Sequence, residues 1–180
     1  LPEDGEPYEG LVSRLFDEVI PYGFNTAGPG YLAYIPGGGL FHAAVADLIS
    51  ESVNRYTSIW LPAPGLAQIE AVVVRWLCEI VRYPEGALGL LTTGGSMANF
   101  TAIFTARREL LPDNFLDGTI YVSDQVHHSI QKAAILVGFP ASSVRQVNSN
   151  ADYGMSVDDL GACITADRDA GKQPFLIVGS

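Results

Sequence analysis

The chain has 180 residues, of which 48% are hydrophobic and 10% aromatic, a composition typical of a folded domain and not of a disordered segment. Its net charge of −10 disfavours binding to nucleic acid or to an anionic membrane, because such binders present positive charge. No apolar run approaches the roughly 20 residues of a membrane helix, and the first residues lack the pattern of a secretory leader. We therefore expect a cytoplasmic protein.

The first part of the chain, residues 1–64, predicts two helices joined by loops. Apolar residues at helical spacing predict helices over residues 8–20 and 41–54. Residues 22–40 between them are rich in Gly, Pro and Tyr, which is typical of a loop. Residues 55–64 form an extended link. We treat residues 1–64 as an N-terminal helical and extended segment.

Residues 65–180 predict helices and strands in alternation. The predicted helices cover residues 65–82, 96–110, 127–137 (ended by Gly138) and a last stretch from the capping residue Ser156 to Gly171. The predicted strands cover residues 87–95, 119–124, 143–147 and 174–180. This alternation predicts an α/β domain with a largely parallel sheet. The last strand is so apolar that we expect it in the sheet centre, which makes residues 65–180 a domain truncated at its C-terminal end.

The segment Thr92–Asn99, T-T-G-G-S-M-A-N, predicts a strand, a glycine turn and a helix start. Free backbone N–H groups and the helix dipole suit a phosphate at such a place. Gly94 and Gly95 allow the backbone to approach an anion closely. The segment has neither the lysine of a Walker A loop nor the glycine spacing of a dinucleotide fingerprint. From the turn alone, an ordinary connection between strand and helix remains the alternative.

The segment Val122–Ser129, V-S-D-Q-V-H-H-S, also follows a predicted strand and opens a helix. Ligands of open α/β sheets bind beyond the carboxyl ends of the strands, so we expect this segment and the glycine turn to share one site. An imidazole at this place could stack on an aromatic cofactor. Position alone does not decide between His127 and His128, and a capping or core histidine is the alternative for each.

Two longer segments, G-G-S-M-A-N-F-T-A-I-F-T-A-R-R-E and Y-V-S-D-Q-V-H-H-S-I-Q-K-A-A-I-L-V-G, resemble the group II pyridoxal-phosphate (PLP) dependent amino-acid decarboxylases. That family includes the aromatic-L-amino-acid, tyrosine, histidine and glutamate decarboxylases. The resemblance extends upstream to G-Y-L-A-Y-I-P-G-G-G and implies a PLP-dependent transferase fold (aspartate aminotransferase type, fold type I). It makes residues 65–180 the first part of the PLP-binding large domain.

The resemblance implies roles for individual residues around the cofactor. Ser96, Met97 and Ala98 would offer backbone or hydroxyl groups to the PLP phosphate. His127 would stack on the pyridine ring and help to protonate the product carbon, which makes His128 a neighbour only. We expect no metal, because no residues show metal-ligand spacing.

The resemblance also implies a substrate pocket and a partner. A loop over residues 34–41 would border the pocket, so we assign substrate contacts to Gly37 and Phe41. Trp60 matches a region that lines the pocket or the dimer interface, and we assign it to substrate contact as well. Residues 1–64 would wrap around a second subunit in a homodimer. The substrate would be an L-amino acid, and the aromatic side chains near the presumed pocket favour an aromatic one.

Two functional segments of the family do not occur in this sequence. One is the D-x-A segment whose carboxylate pairs with the pyridine nitrogen, and the other is the His-Lys pair whose lysine bonds the cofactor aldehyde. Lys132 and Lys172 lack that context and are typical of surface residues. We therefore expect the remaining C-terminal part of the same protein to supply both groups, and this chain alone to be inactive.

Three functions stay open from the sequence. The first is a PLP-dependent amino-acid decarboxylase, and the second is another PLP enzyme of the same fold, such as a lyase of phosphorylated sphingoid bases or a desulfurase. The third is a non-catalytic module that binds a phosphorylated ligand. The two cysteines, Cys78 and Cys163, are interpreted as reduced core residues, which fits the cytoplasm.

Overall fold

The structure, a computed structural model, describes residues 4–34 and 37–179. It divides into two compact units, Leu1–Ala67 and Gln68–Ser180. None of the helices in the described ranges is both long and apolar enough to cross a membrane.

The first unit contains two helices at the predicted places. Helix α1 (Tyr8–Arg14) continues as a π turn over Leu15–Val19 and a 3₁₀ turn over Ile20–Tyr22, and helix α2 covers Phe41–Val53. The hydrogen-bond pattern changes after α1, ahead of Pro21. This proline has no N–H to donate to the helix. Neither α1 nor α2 contains a fully buried residue, so their apolar stripes face outwards in this unit.

The second unit is built around a parallel sheet. Helix α3 covers Pro64–Ile80 and leads into it. The later elements follow in the order α4 (Gly95–Leu110), β1 (Gly118–Ser123), α5 (Ser129–Leu136), β2 (Val144–Val147), α6 (Val157–Asp169) and β3 (Gln173–Val178). The three strands pair in the order β2-β1-β3, and both pairings are parallel. The predicted α/β class is confirmed.

The prediction of a buried strand over residues 87–95 is wrong. Residues 87–94 form no strand, Gly95 already begins α4, and Leu88 is 95% exposed. A strand needs a neighbour for its backbone hydrogen bonds, and no strand of the described ranges lies beside this one. The N–H of Leu91 instead donates to Oε1 of Glu70 on α3, over 3.1 Å.

The described residues do not show the predicted central position of the last strand. Strand β3 pairs only with β1 in the described part of the chain and is therefore an edge of the sheet. Its residues are half-buried or exposed, whereas all six residues of β1 are buried. The apolar sequence of β3 reflects partial burial of both faces, and the sheet order depends on long-range pairing that composition does not encode.

The core lies between one face of the sheet and helices α4 and α5. Its fully buried members come from all three elements and the following turn: Ile103, Ile120, Val122, Ile130, Ala133, Ala134, Val137 and Phe139. Gly138, at φ 101°, ends the helix as predicted and directs Phe139 back into this core. Cys78 and Cys163 are free thiols as predicted, but they are half-buried and not core residues.

A polar cluster occupies the other face of β1, because side chains of a strand alternate between faces. The hydroxyl of Tyr121 donates to Oδ2 of Asp167 on α6 (2.7 Å) and lies 3.0 Å from Oγ1 of Thr119. Arg145 of β2 donates from Nε and Nη2 to both carboxylate oxygens of Asp167, over 2.8–3.1 Å. These bonds join β1, β2 and α6.

The cluster shifts the pKa values of its members in opposite directions. Hydrogen bonds from Arg145 hold the pKa of the Asp167 carboxyl below its usual value, more than burial raises it. Burial raises the pKa of Tyr121 to about 12. At neutral pH the cluster therefore contains a carboxylate, a guanidinium and a neutral phenol.

We expect Asp167→Asn to lower the free energy of unfolding by about 1.5–3 kcal/mol at pH 7, because it removes the charged acceptor of several hydrogen bonds. The folded pKa of Asp167 lies below the unfolded one, so its contribution is complete above about pH 4 and is lost as the pH falls through the folded value. Urea denaturation from pH 7 to pH 3 measures both effects.

The matched control is Asp152→Asn, because Asp152 is exposed in the loop before α6. The difference in stability between the native protein and Asp167→Asn should shrink in acid. A difference that stays constant between pH 7 and pH 3 would contradict the assigned role of the carboxylate.

Candidate functional site

The glycine turn places free N–H groups at the start of α4. Gly94 has φ 154° and ψ 170°, a conformation that is essentially restricted to glycine. The first hydrogen bonds of the helix run from the N–H groups of Met97 and Ala98 to the carbonyl oxygen of Gly94, both over 3.1 Å. The N–H groups of Gly95 and Ser96 precede these bonds and so remain at the open end of the helix.

This end of α4 has the donors that a phosphate needs. The N–H groups of Gly95 and Ser96 are accompanied by the exposed side chain of Ser96, and the helix dipole adds positive potential. A Cβ added at Gly94 or Gly95 would meet no atom within 4 Å, so the turn has room for an anion. Met97 and Ala98 lie in the same turn, but their N–H groups already serve the helix.

The second motif lies between the end of β1 and the start of α5. The N–H of Asp124 donates to the carbonyl of Val147, over 3.0 Å, which ties the ends of β1 and β2 together. His127 and His128 are both exposed, and their ring centroids are 4.2 Å apart with a tilt of 31° between the planes. His128 is the N-cap residue of α5 but forms no capping bond with its side chain.

A chain of hydrogen bonds joins the two motifs. Nδ2 of Asn99 on α4 donates to Oγ of Ser129 (2.9 Å), and that Oγ lies 2.8 Å from Nδ1 of His127. The N–H of Ser129 also donates to this Nδ1, over 3.2 Å. The two segments therefore meet, although no strand precedes α4 in the described ranges, and the contact involves His127 and not His128.

Sequence reasoning missed two members of this chain of bonds, Asn99 and Ser129. Both lie inside the two motifs, so the motifs contained them without assigning them a role. The available signal was a polar side chain near the start of each helix: Asn99 lies one turn into α4, and Ser129 is the first residue of α5. Only the packing of α4 against α5 shows that the two side chains face each other.

A groove of about 220 Å³ lies beside His128. It is lined by Val122, Asp124, Val126, His128, Gln131, Val144 and Gln146, and it includes none of the residues predicted to bind the cofactor. Hydrogen bonding from Ser149 keeps the pKa of the Asp124 carboxyl below its usual value. Within residues 4–34 and 37–179, no group of three or more His, Cys, Asp or Glu side chains could hold a metal ion.

The residues predicted to contact substrate lie in the first unit. Gly37 precedes α2 in an extended stretch, and residues 35–36 of the same predicted loop lie outside the described ranges. Phe41 is the first residue of α2, is 78% exposed, and contacts the ring of His42 edge-on. Trp60 lies in a turn before α3 and is 56% exposed. Their assignment to a substrate pocket stays a prediction.

Comparison with known proteins gives consistent matches over the whole chain. The family model of the pyridoxal-dependent decarboxylase conserved domain matches residues 1–180. The aromatic-L-amino-acid decarboxylase of Bacillus atrophaeus is 31% identical over 180 residues, which are 100% of this chain and 38% of that protein. The L-tyrosine/L-DOPA decarboxylase 2 of Lophophora williamsii is 28% identical over 98% of this chain and 36% of its own length.

Solved structures match as well. The glutamate decarboxylase domain of the diaminobutyrate-pyruvate transaminase and L-2,4-diaminobutyrate decarboxylase from Vibrio parahaemolyticus has a TM-score of 0.91 and 26% identity, over 99% of this chain and 42% of its own. The Oryza sativa TDC structure with PLP and tryptamine has a TM-score of 0.88 over 98% and 39%, and at 23% identity it shows the fold alone. The chain thus spans about two fifths of these proteins.

The unusual conformation of Gly94 leads to a prediction about the helix start. Gly94→Ala should lower the free energy of unfolding by about 1–3 kcal/mol, because a Cβ is strained in this backbone conformation. Gly95→Ala is the matched control: its Cβ also meets open space, and Gly95 does not have a positive φ. Urea denaturation of both variants measures the difference, and equal effects would contradict the assignment of strain to Gly94.

Proposed function

Because the chain belongs to the pyridoxal-dependent decarboxylase family, we propose that the intact protein removes the carboxyl group of an L-amino acid with PLP as its cofactor. The observation that carries the proposal is the hydrogen-bonded contact between the phosphate-type turn of α4 and the histidine segment before α5. The chain of bonds supports a phosphate site at the start of α4 that lies near the exposed imidazole of His127. A phosphorylated aromatic cofactor requires both.

The residues of this chain would hold the cofactor at two points. The N–H groups of Gly95 and Ser96, with the hydroxyl of Ser96, would bind the phosphate, and Met97 and Ala98 would line the same turn. His127 would stack on the ring and carry a proton beside it. When bound, PLP supplies an electron sink for the electrons that carbon dioxide leaves behind.

We propose an aromatic L-amino acid as the substrate. The names of the relatives support this choice, since they include aromatic-L-amino-acid, tyrosine and tryptophan decarboxylases. Gly37, Phe41 and Trp60 would contribute to substrate binding. The Vibrio parahaemolyticus neighbour is named as a glutamate decarboxylase domain and an L-2,4-diaminobutyrate decarboxylase. The fold by itself therefore does not determine which substrate side chain is accepted.

The same family membership supports a proposed organisation of the intact protein. Residues 1–64 would wrap around a second copy in a homodimer, and the outward-facing apolar residues of α1, the π turn after it and α2 support this role, among them Leu11, Phe16 and Leu48. Residues 65–180 would form the first part of the PLP-binding large domain. Chain outside residues 1–180 would supply the lysine and the carboxylate. Free cysteines suit the reducing cytoplasm.

The main test is release of carbon dioxide by the intact protein with PLP. We expect release from tyrosine, tryptophan or 3,4-dihydroxyphenylalanine and at least about tenfold lower kcat/KM with glutamate, since an apolar pocket leaves a second carboxylate unpaired. Release from glutamate alone would contradict the aromatic substrate. No release from any amino acid of the panel would contradict the function.

A second test separates the two neighbouring histidines. His127→Phe keeps a flat ring but removes the nitrogen atoms, so we expect PLP to remain bound while kcat falls by about 10²–10⁴-fold, the usual worth of a general acid or base. His128→Phe is the matched control and should change kcat far less. PLP absorbance reports binding, and an equal loss in both variants would contradict the assignment to His127.

A further inference from the structure

The Nδ1 atom of His127 is held as a hydrogen-bond acceptor. It receives the backbone N–H of Ser129, the first residue of α5, over 3.2 Å. A backbone amide can only donate, so the ring nitrogen opposite it has no proton. In the neutral imidazole the proton must then be on Nε2, because one ring nitrogen carries it and the other accepts.

The side chains of Asn99 and Ser129 act in the same direction. The Nδ2 group of Asn99 donates to Oγ of Ser129 and occupies a lone pair of that oxygen. The single hydroxyl proton of Ser129 is then directed to Nδ1 of His127, 2.8 Å away. Ser129 is only 4% exposed and Asn99 is half-buried, so bulk water does not compete for this proton.

We propose that Asn99 and Ser129 are positioning residues that fix the ring orientation of His127 and keep its proton on Nε2. Their action on the reaction rests on the proposed function, in which His127 stacks on PLP. A ring fixed in this way offers one hydrogen-bond donor, the Nε2–H, in one direction. His128 has no equivalent support, since its side chain does not cap α5 and its ring contacts only that of His127 among the described contacts.

The position of the proton can be read without any turnover. Nitrogen-15 NMR of labelled imidazoles distinguishes a protonated from an unprotonated ring nitrogen, and the spectrum of His127→Phe identifies the signals of His127. We expect Nδ1 to be unprotonated and Nε2 to be protonated in the intact protein, both with PLP and after its removal. A protonated Nδ1 in the neutral ring would overturn the proposal without any further variant.

Asn99→Asp is the sharpest variant, because its shape is nearly that of the native side chain while a carboxylate only accepts hydrogen bonds. The hydroxyl of Ser129 would turn towards the new carboxylate and present a lone pair to Nδ1. Because the backbone N–H of Ser129 still donates to Nδ1 in this variant, we expect only part of the tautomer population to shift towards the form with its proton on Nδ1. Thr105→Ala, an exposed change on the same helix, is the control and should leave the spectrum unchanged.

Kinetics add a second readout. In Asn99→Asp and Ser129→Ala we expect kcat to fall at least about tenfold with KM changed less than about threefold, as for an interaction that acts in the transition state. A native tautomer in Asn99→Asp would overturn the proposal. An intact protein that decarboxylates no amino acid would instead contradict the proposed function alone, because the tautomer is measured independently.

Discussion

Complete burial of β1 is the constraint on which the rest of the second unit depends. The strand pairs with β2 on one side and β3 on the other, so its backbone groups are satisfied only when both neighbours are in register. Its side chains alternate between an apolar face, with Ile120 and Val122, and a polar face, with Thr119 and Tyr121. This one strand therefore contributes to the apolar core with α4 and α5 on one face and to the polar cluster with Asp167 of α6 on the other.

The apolar face of β1 determines where the site lies. Helices α4 and α5 pack on this face through Ile103 and Ile130, and the small side chains of Ala133 and Ala134 let α5 approach closely. This packing brings the first turns of the two helices together. The bond between Asn99 and Ser129 follows from it, and so does the meeting of the glycine turn with His127.

The sequence predicted this unit well where the signal is local. Helical periodicity located α3, and the glycine turn and the paired histidines marked the two segments that meet. The stretch 87–95 was misjudged because an apolar run indicates partial burial, whereas a strand also requires a neighbouring strand for its hydrogen bonds. The position of β3 in the sheet could not be derived for a related reason, since strand order is set by contacts between residues far apart in the chain.

The distinction between local signals and long-range contacts also applies inside the candidate site. The turn at Gly94 could be predicted because its chemistry is contained in a few consecutive residues. The choice between His127 and His128 could not be derived from position, since it depends on Ser129 and on Asn99, which lies about thirty residues earlier. The helix also uses the N–H groups of Met97 and Ala98 for its own first turn, so a motif names the residues near a phosphate but not the atoms that are free to bind it.

The site is placed on helix ends that a buried core holds, and not on long loops. An anion site made of backbone N–H groups keeps its geometry only as well as its helix is fixed, and α4 is fixed by Ile103 in the core. His127 lies outside a helix, yet its ring is bonded to the first residue of α5. Because Asn99 joins the two helices at this point, core packing sets the distance between the start of α4, where we propose the phosphate, and the imidazole of His127. A cofactor held by its phosphate and by one face of its ring, as we propose for PLP, would benefit from this arrangement, since little of its binding energy is then needed to order the protein.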